Sequence, residues 1–264
     1  MGLPMRNSGS EKNLSARAPF QGVFNIVRFN YDFFVTAGCV VITCLFGAWC
    51  LEGEIVPPLC LCIAILVTCA ALASLAASWW VYDLSSLYSF SWLDSLLTTV
   101  SGPALNIHAG FDETTELLHA RYPNLSFEVM DFYDPLRHTE RSIRRARKVQ
   151  QPYPGTKRVS PSTLVLKPER YVVIVLILAL HEIRDAQERA IFLRALRDAL
   201  APGGRLIVVE HARDLANFMA YTIGFFHFLS VRSLLTAFSL GGLQISAQRR
   251  ITPFVRVFSL ERAW

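Results

Sequence analysis

From Phe33 to Leu51 no position along the chain is charged, and a second uncharged run extends from Ile55 to Val81. Crossing about 30 Å of hydrocarbon takes about 20 helical residues at roughly 1.5 Å each, so both runs predict membrane-spanning helices. Only Glu52, Gly53 and Glu54 separate them, which predicts a tight helical hairpin. Pro57 and Pro58 stand in the first turn of the second helix, where a missing N–H costs little. Trp49 and the Trp79–Trp80 pair fall near the ends, where indoles favour the interface. A cleaved signal peptide fits worse, because the first run starts late and a second follows at once.

Beyond Val81 the periodicity changes. Ala104–Ala109 is a short apolar run closed by Gly110, and Thr114–Arg121 predicts a helix that starts in the Asp112–Thr115 region. Ser126–Met130 predicts a strand ending at Asp131. Arg137–Val149 predicts a basic helix, and Tyr153-Pro154-Gly155 a turn into a third strand. Tyr171–Leu180 is continuously apolar, too short to span a bilayer and suited to a strand covered on both faces. Asp185–Leu200 predicts an amphipathic helix with Ile191, Phe192, Leu193, Leu196 and Leu200 on its buried side. Ala201–Gly204 is expected to end it before the strand Arg205–Val209. Leu243–Arg250 and Phe254–Glu261 alternate more openly and predict an antiparallel hairpin. The alternation of strands and helices predicts an α/β domain, with a mostly parallel sheet and helices on both faces. The expected organisation is a basic N-terminal segment (1–32), a two-helix transmembrane hairpin (33–81) and the α/β domain (82–264).

Composition and charge add orientation. Of the 264 residues 52% are hydrophobic and 18% charged, against about 25% charged in a soluble domain; the apolar excess sits in residues 33–81. The formal charge is +5. Arg6, Lys12, Arg17 and Arg28 precede the first apolar run, whereas the connecting loop has no basic residue. The positive-inside bias then places the N-terminus in the cytoplasm, and two crossings return the α/β domain there. This predicts an integral membrane protein with both termini cytoplasmic. Arg137, Arg141, Arg144, Arg145, Arg147 and Lys148 form a second basic cluster, extended by Lys157 and Arg158. It fits either a solvated face or anionic lipid headgroups. No nucleic-acid motif accompanies it, so nucleic acid is not an expected partner. All six cysteines (Cys39, Cys44, Cys50, Cys60, Cys62 and Cys69) lie in the apolar region. Their spacing is neither a disulfide framework nor a zinc pattern, and no metal-ligating set is read from it.

Ligands of an open parallel sheet bind beyond the carboxyl ends of its strands, near the point where strand order reverses. That rule selects His108–Gly110, Asp131–Phe132, His181–Glu182 and Glu210–His211. Gly110 allows close backbone approach, and the Asp131 carboxylate suits the two hydroxyls of a ribose. His181 and Glu182 suit either a proton acceptor, since imidazole titrates near working pH, or a cap for the next helix. His211 suits either a substrate-lining group or a structural histidine. Asn217–Val231 (NFMAYTIGFFHFLSV) is too apolar for a solvent-facing helix. It is expected either to lie on the bilayer as a greasy entrance or to pack under the sheet.

In this order the pieces resemble the class I S-adenosylmethionine (SAM)-dependent methyltransferases. Leu200–Glu210 (LAPGGRLIVVE) resembles that family's helix–turn–strand element before the fifth strand. Asp131 stands at its ribose-binding acid position. Gly241–Gly242 and Pro253–Phe254 lie near its final hairpin, and Tyr82–Tyr88 (YDLSSLY) resembles the segment that covers the cofactor. The similarity runs from Tyr82 to the end. The family's first loop usually carries three glycines. Here Asn106-Ile107-His108-Ala109-Gly110-Phe111-Asp112 keeps the middle one as Gly110, with Asn106 for the usual acid and His108 and Asp112 for the flanking glycines. Ser160 and Ser162 stand where many members carry an acid that reads adenine. The resemblance implies a Rossmann-like sheet and SAM as cofactor, held by Tyr82, Asn106, His108, Ala109, Gly110, Asp112, Asp131 and Phe132. It implies catalysis from His181, Glu182 and His211. Joined to the hairpin, it implies methyl transfer to a lipophilic acceptor drawn from the bilayer, such as a lipid, quinone or isoprenoid. The altered loop leaves open a different reaction on the same fold, or a tethered scaffold or sensor without catalysis.

Overall fold

The computed structural model describes residues 17–263, so Arg6 and Lys12 lie outside the described residues. The first helix, α1 (Gln21–Phe29), is not announced by the hydrophobic pattern. A distant side chain caps it: Asp83 accepts hydrogen bonds from the N–H groups of Gly22 (2.7 Å) and Val23 (2.9 Å). A carboxylate is favoured there because the first turn of a helix leaves N–H groups unpaired at its positive end.

Helices α2 (Tyr31–Cys50) and α3 (Val56–Trp79) pack on each other as the expected hairpin. Both are long and apolar enough to cross a membrane, and their most apolar windows are only 0% and 6% buried. Helix α3 does not stop at Val81. A π turn, Trp80–Leu84, extends it, so Tyr82 and Asp83 leave from the helix itself rather than from the following domain.

A 3-10 turn (Ser91–Leu93) and helix α4 (Asp94–Leu97) lead into the α/β part. It runs β1 (Gly102–His108), α5 (Thr115–Arg121), β2 (Leu125–Asp131), α6 (Arg141–Val149), β3 (Lys157–Arg158) and β4 (Tyr171–Ile177). It continues with α7 (Ala186–Ala199), β5 (Leu200–His211), α8 (Leu215–Tyr221), α9 (Val231–Leu240), β6 (Leu243–Thr252) and β7 (Val255–Arg262). The seven strands form one Rossmann-like sheet in the order β3-β2-β1-β4-β5-β7-β6. Strands β1 to β5 are parallel, and β7 runs antiparallel to β5 and β6. The order reverses between β1 and β4, which places the ligand-binding crevice at their carboxyl ends.

Alternate residues of the central strands feed two cores. Ile174 and Leu176 of β4 face α7 and α9 with Phe192, Leu193 and Phe238. Val173 and Val175 face the other side, which is covered by Leu87, Phe90, Trp92 and Leu93.

Four local expectations change. Ala201–Gly204 is not a loop: β5 begins at Leu200, opposite Tyr171, and a bulge absorbs the tetrapeptide. The basic helix starts at Arg141 rather than Arg137. Ile191 is 43% exposed, because the three adjacent residues Ile191, Phe192 and Leu193 cannot share one helix face. Asn217–Val231 is broken at Thr222, whose φ is +50°. It forms α8 and a 3-10 turn (Thr222–His227), with Met219, Ile223 and Phe226 exposed.

Phe192 is wholly buried with its ring 5.5 Å from that of Phe132. Phe192→Ala is expected to lower stability by about 3–5 kcal/mol, read as a shifted unfolding midpoint of the detergent-solubilised chain. A midpoint equal to the wild type's contradicts this packing.

Candidate functional site

The site is built from the carboxyl ends of β1, β2, β4 and β5. After β1 the backbone turns at Gly110, whose φ of +98° belongs to the left-handed region. A Cβ there would lie 2.9 Å from Tyr133 and from the Arg147 guanidinium, so glycine is required twice over. Asn106 does not face the crevice. It is buried and donates to the hydroxyls of Thr114 (2.9 Å) and Thr115 (2.7 Å), tying β1 to the start of α5. Asp112 uses Oδ1 to accept from the N–H groups of Thr114 (2.9 Å) and Thr115 (3.0 Å). Its Oδ2 is buried without a partner, as is Nε2 of His108, 4.0 Å away. His108 Nδ1 accepts from the Gly110 N–H at 3.1 Å. Burial lowers the His108 pKa, against the raising pull of Asp112 and Asp131. Ala109 is buried beside them.

At the end of β2, Asp131 is buried and occupied. Its Oδ2 accepts from Arg147 Nη1 (2.7 Å) and its Oδ1 from the Tyr133 N–H (2.9 Å). Arg147 also donates to the Gly110 carbonyl (2.9 Å) and lies over the Tyr133 ring at 4.3 Å. One guanidinium from the basic helix therefore bridges the first two strand ends. The sequence offers no signal for this, because Arg147 looks like its exposed neighbours. Phe132 packs inward against Phe192 and His138.

Beyond β4, Leu178 has φ +50°, a strained conformation for a residue with a side chain. The 3-10 turn Leu180–Glu182 then presents His181 and Glu182. They do not cap α7, whose cap is Asp185, accepting from the Glu188 N–H at 2.7 Å. His181 Nδ1 donates to Glu210 Oε2 at 2.7 Å, and its Nε2 lies 3.5 Å from Glu182 Oε1. Glu210 has no exposed surface. Burial pulls the His181 pKa down, but Glu210 and Glu182 together raise it to about 10. As it stands, His181 is an imidazolium and not a free base. Burial raises the Glu182 pKa, yet hydrogen bonds with His181 and His227 hold it well below the carboxylate range.

His211, at the end of β5, is fully engaged. Its Nδ1 donates to the Phe254 carbonyl (3.1 Å) and Asn217 Oδ1 (3.2 Å), and its Nε2 accepts from the Tyr82 hydroxyl (3.0 Å). No ring nitrogen is left for a substrate. His227, which the sequence places inside an apolar segment, reaches Glu182 instead: its Nε2 lies 3.3 Å from Glu182 Oε1.

Three cavities meet here. One of about 520 Å³ lies beyond β2, β3 and β4, beside Phe132, Tyr133, Ser160 and Ile183. One of about 190 Å³ lies between the ends of β1 and β4, beside His108, Ala109, Thr114, Leu178 and Ala179. The third, about 560 Å³, is apolar and lined by α1, α2 and α3 through Ile26, Phe29, Phe33, Phe34 and Ser74. Glu182 lines all three. Tyr82 and Phe111 stand between the second and the third.

Solved proteins share the architecture. A protein from Pyrococcus horikoshii aligns with a TM-score of 0.50 at 12% identity, over 67% of this chain and 89% of that one. An O-methyltransferase family 2 protein from Planctomyces limnophilus, solved with apigenin, gives 0.49 at 15% identity over 77% and 69%. A SAM-dependent methyltransferase from Leishmania major gives 0.47 at 15% identity over 66% and 70%. At these identities the likeness carries the fold alone. No protein-family model matches the sequence, and no curated protein matches it.

Burial pushes the His211 pKa from 6.5 down to about 4. Between those values the unfolded chain takes up a proton that the folded chain refuses, so stability present above about 6.5 is lost as pH falls towards 4. The stability advantage of the wild type over His211→Gln, read from thermal midpoints, is expected to shrink across that window. A constant advantage contradicts the assignment.

Proposed function

We propose that this chain is a SAM-dependent methyltransferase that acts at the membrane surface on a lipophilic acceptor drawn from the bilayer. The observation that carries this reading is the position of Glu182, where two cavities at the strand ends meet an apolar cavity walled by the helical hairpin.

The residues at the strand ends fit the cofactor, with one rearrangement. The buried His108 Nε2 and Asp112 Oδ2, 4.0 Å apart, make no hydrogen bond and are polar atoms still needing one. Phe132, Tyr133 and Ser160 would hold the adenine end, Asp131 the ribose, and His108, Gly110 and Asp112 the methionine end. Arg147 must first release Asp131; its side chain is 20% exposed. SAM supplies a methyl group on a sulfonium, and the protein's task is mainly to align donor and acceptor. Glu182, held ionised, is placed to accept a hydrogen bond from an acceptor hydroxyl. Tyr82 and Phe111 exclude water between the cavities.

Membrane insertion is supported by the two apolar helices and by the outward-facing Met219, Ile223 and Phe226 beside them. Arg17, Arg28 and the basic helix lie on the α/β side of the hairpin, and Glu52 and Glu54 at its tip. The positive-inside bias therefore favours a cytoplasmic α/β domain. Arg141 and Arg145 are already paired with Asp32 (3.2 and 2.7 Å), which leaves the exposed Arg144 and Lys148 for anionic headgroups. The Arg147–Asp131 pair also favours a second reading, a tethered protein that binds no SAM.

Titration calorimetry of the full chain in nanodiscs separates the two. SAM is expected to bind, with Asp131→Ala weakening it by about tenfold or more, the scale of a lost charge-assisted hydrogen bond. Arg147→Ala is expected to bind at least as tightly as wild type, because nothing then competes for Asp131. With radiolabelled SAM and a membrane extract, label is expected in the solvent-extractable lipids. Absence of SAM binding by both wild type and Arg147→Ala, or label in water-soluble products alone, overturns the proposal.

A further inference from the structure

Two imidazoles and one carboxylate converge where the strand ends meet the apolar cavity. His181 and Glu182 come from the turn after β4, and His227 from the 3-10 turn after α8. Oε1 of Glu182 lies 3.5 Å from His181 Nε2 and 3.3 Å from His227 Nε2. All three ligand atoms fall within 4.8 Å of one another. We propose that His181, Glu182 and His227 bind one divalent transition-metal ion of the zinc, iron(II) or manganese(II) class.

The surroundings support a metal centre over a chance ion pair. Each histidine has its other nitrogen beside a separate carboxylate: His181 Nδ1 hydrogen-bonds Glu210 at 2.7 Å, and His227 Nδ1 lies 2.6 Å from Glu140 Oε1, where Arg184 also reaches it. For His181 such an outer carboxylate keeps a hydrogen on Nδ1 and turns Nε2 inward, as it does for metal-bound histidines. Once His181 gives up its Nε2 proton, two imidazole nitrogens and a carboxylate oxygen face one another, and a divalent cation would take the place of that proton. The charge balance agrees once both rings are neutral. The groups contacting them are then Glu140, Glu182 and Glu210 against Arg184, which leaves two negative charges for a divalent ion.

The separations suit coordination after a small closure. Bonds of about 2.0–2.1 Å in a tetrahedral site put ligand atoms about 3.3 Å apart. His227 sits on a short turn and is half-buried, so it can move the remaining distance. Two nitrogens and one oxygen favour a borderline transition ion over magnesium or calcium, which take oxygen ligands. Three protein ligands leave coordination positions open, and Glu140, Glu182 and His227 all line the cavity of about 560 Å³. An acceptor oxygen entering from the hairpin side would reach them. The ion requires neither SAM nor methyl transfer, so it stands or falls separately from the function proposed above.

The test uses tag-free full-length chain in nanodiscs, stripped with a chelator, reloaded with zinc and freed of unbound metal. Wild type is expected to retain roughly one zinc per chain and to gain thermal stability on loading. His227→Ala and Glu182→Gln are each expected to bind zinc at least about tenfold more weakly, with His119→Ala, whose ring stacks on Tyr153, unchanged. Cobalt(II) in the wild type is expected to give visible ligand-field bands, a readout that needs no variant. Wild type that retains no zinc and shows no cobalt bands would mean that protons alone hold the cluster, and overturns the proposal. So does a full equivalent of zinc that both variants keep.

Discussion

A carboxylate with no exposed surface stands at the end of β5, and the site is organised around the need to compensate it. An unpaired buried charge costs several kcal/mol, so Glu210 must find partners within the sheet edge. It finds both in one residue: the ring Nδ1 of His181 at 2.7 Å and the His181 backbone N–H at 3.3 Å. This pair fastens the turn after β4 to the end of β5. It also fixes which way the His181 ring faces, and so places Glu182 at the junction of three cavities.

The second constraint is the way the hairpin joins the sheet. Because α3 runs through a π turn to Leu84, its last residues reach the α/β part as a rigid extension. Tyr82 donates to His211 at the end of β5, and Asp83 caps α1. Gly22 has to be a glycine at this joint, since a Cβ would come within 2.3 Å of the Tyr82 Cβ. On the other side, Arg145 binds both Asp32 and the Phe29 carbonyl at 2.7 Å. Apolar helices and strand ends are thus held together by polar contacts, and an apolar cavity is left between them. The proposed lateral delivery of an acceptor rests on that geometry.

Much of the fold is legible in the sequence because hydrophobic periodicity reports burial. The uncharged runs become α2 and α3, the continuous run from Tyr171 becomes a strand covered on both faces, and the terminal alternation becomes β6 and β7. Periodicity does not report partners, and there the site escapes it. Arg147 lies in a basic run where Arg144 is exposed, yet it alone turns in to bridge Asp131 and Gly110. Asn106 is read as a ligand contact from its place in the first loop, but its amide is taken by two threonines. His211 ends a strand where a substrate group is expected, and packing seals it. His227 sits within a stretch whose apolar character hides it, and only the break at Thr222 brings it to Glu182.

The central claim is that a donor crevice at the β1, β2 and β4 ends opens towards the membrane helices at Glu182. Hydrogen exchange of the nanodisc-embedded chain, with and without S-adenosylhomocysteine, tests it most directly. Protection is expected to gather in residues 108–113, 131–134 and 178–182, with faster exchange in α6 as Arg147 gives up Asp131. Protection confined to other segments, or none at saturating ligand, would contradict the account.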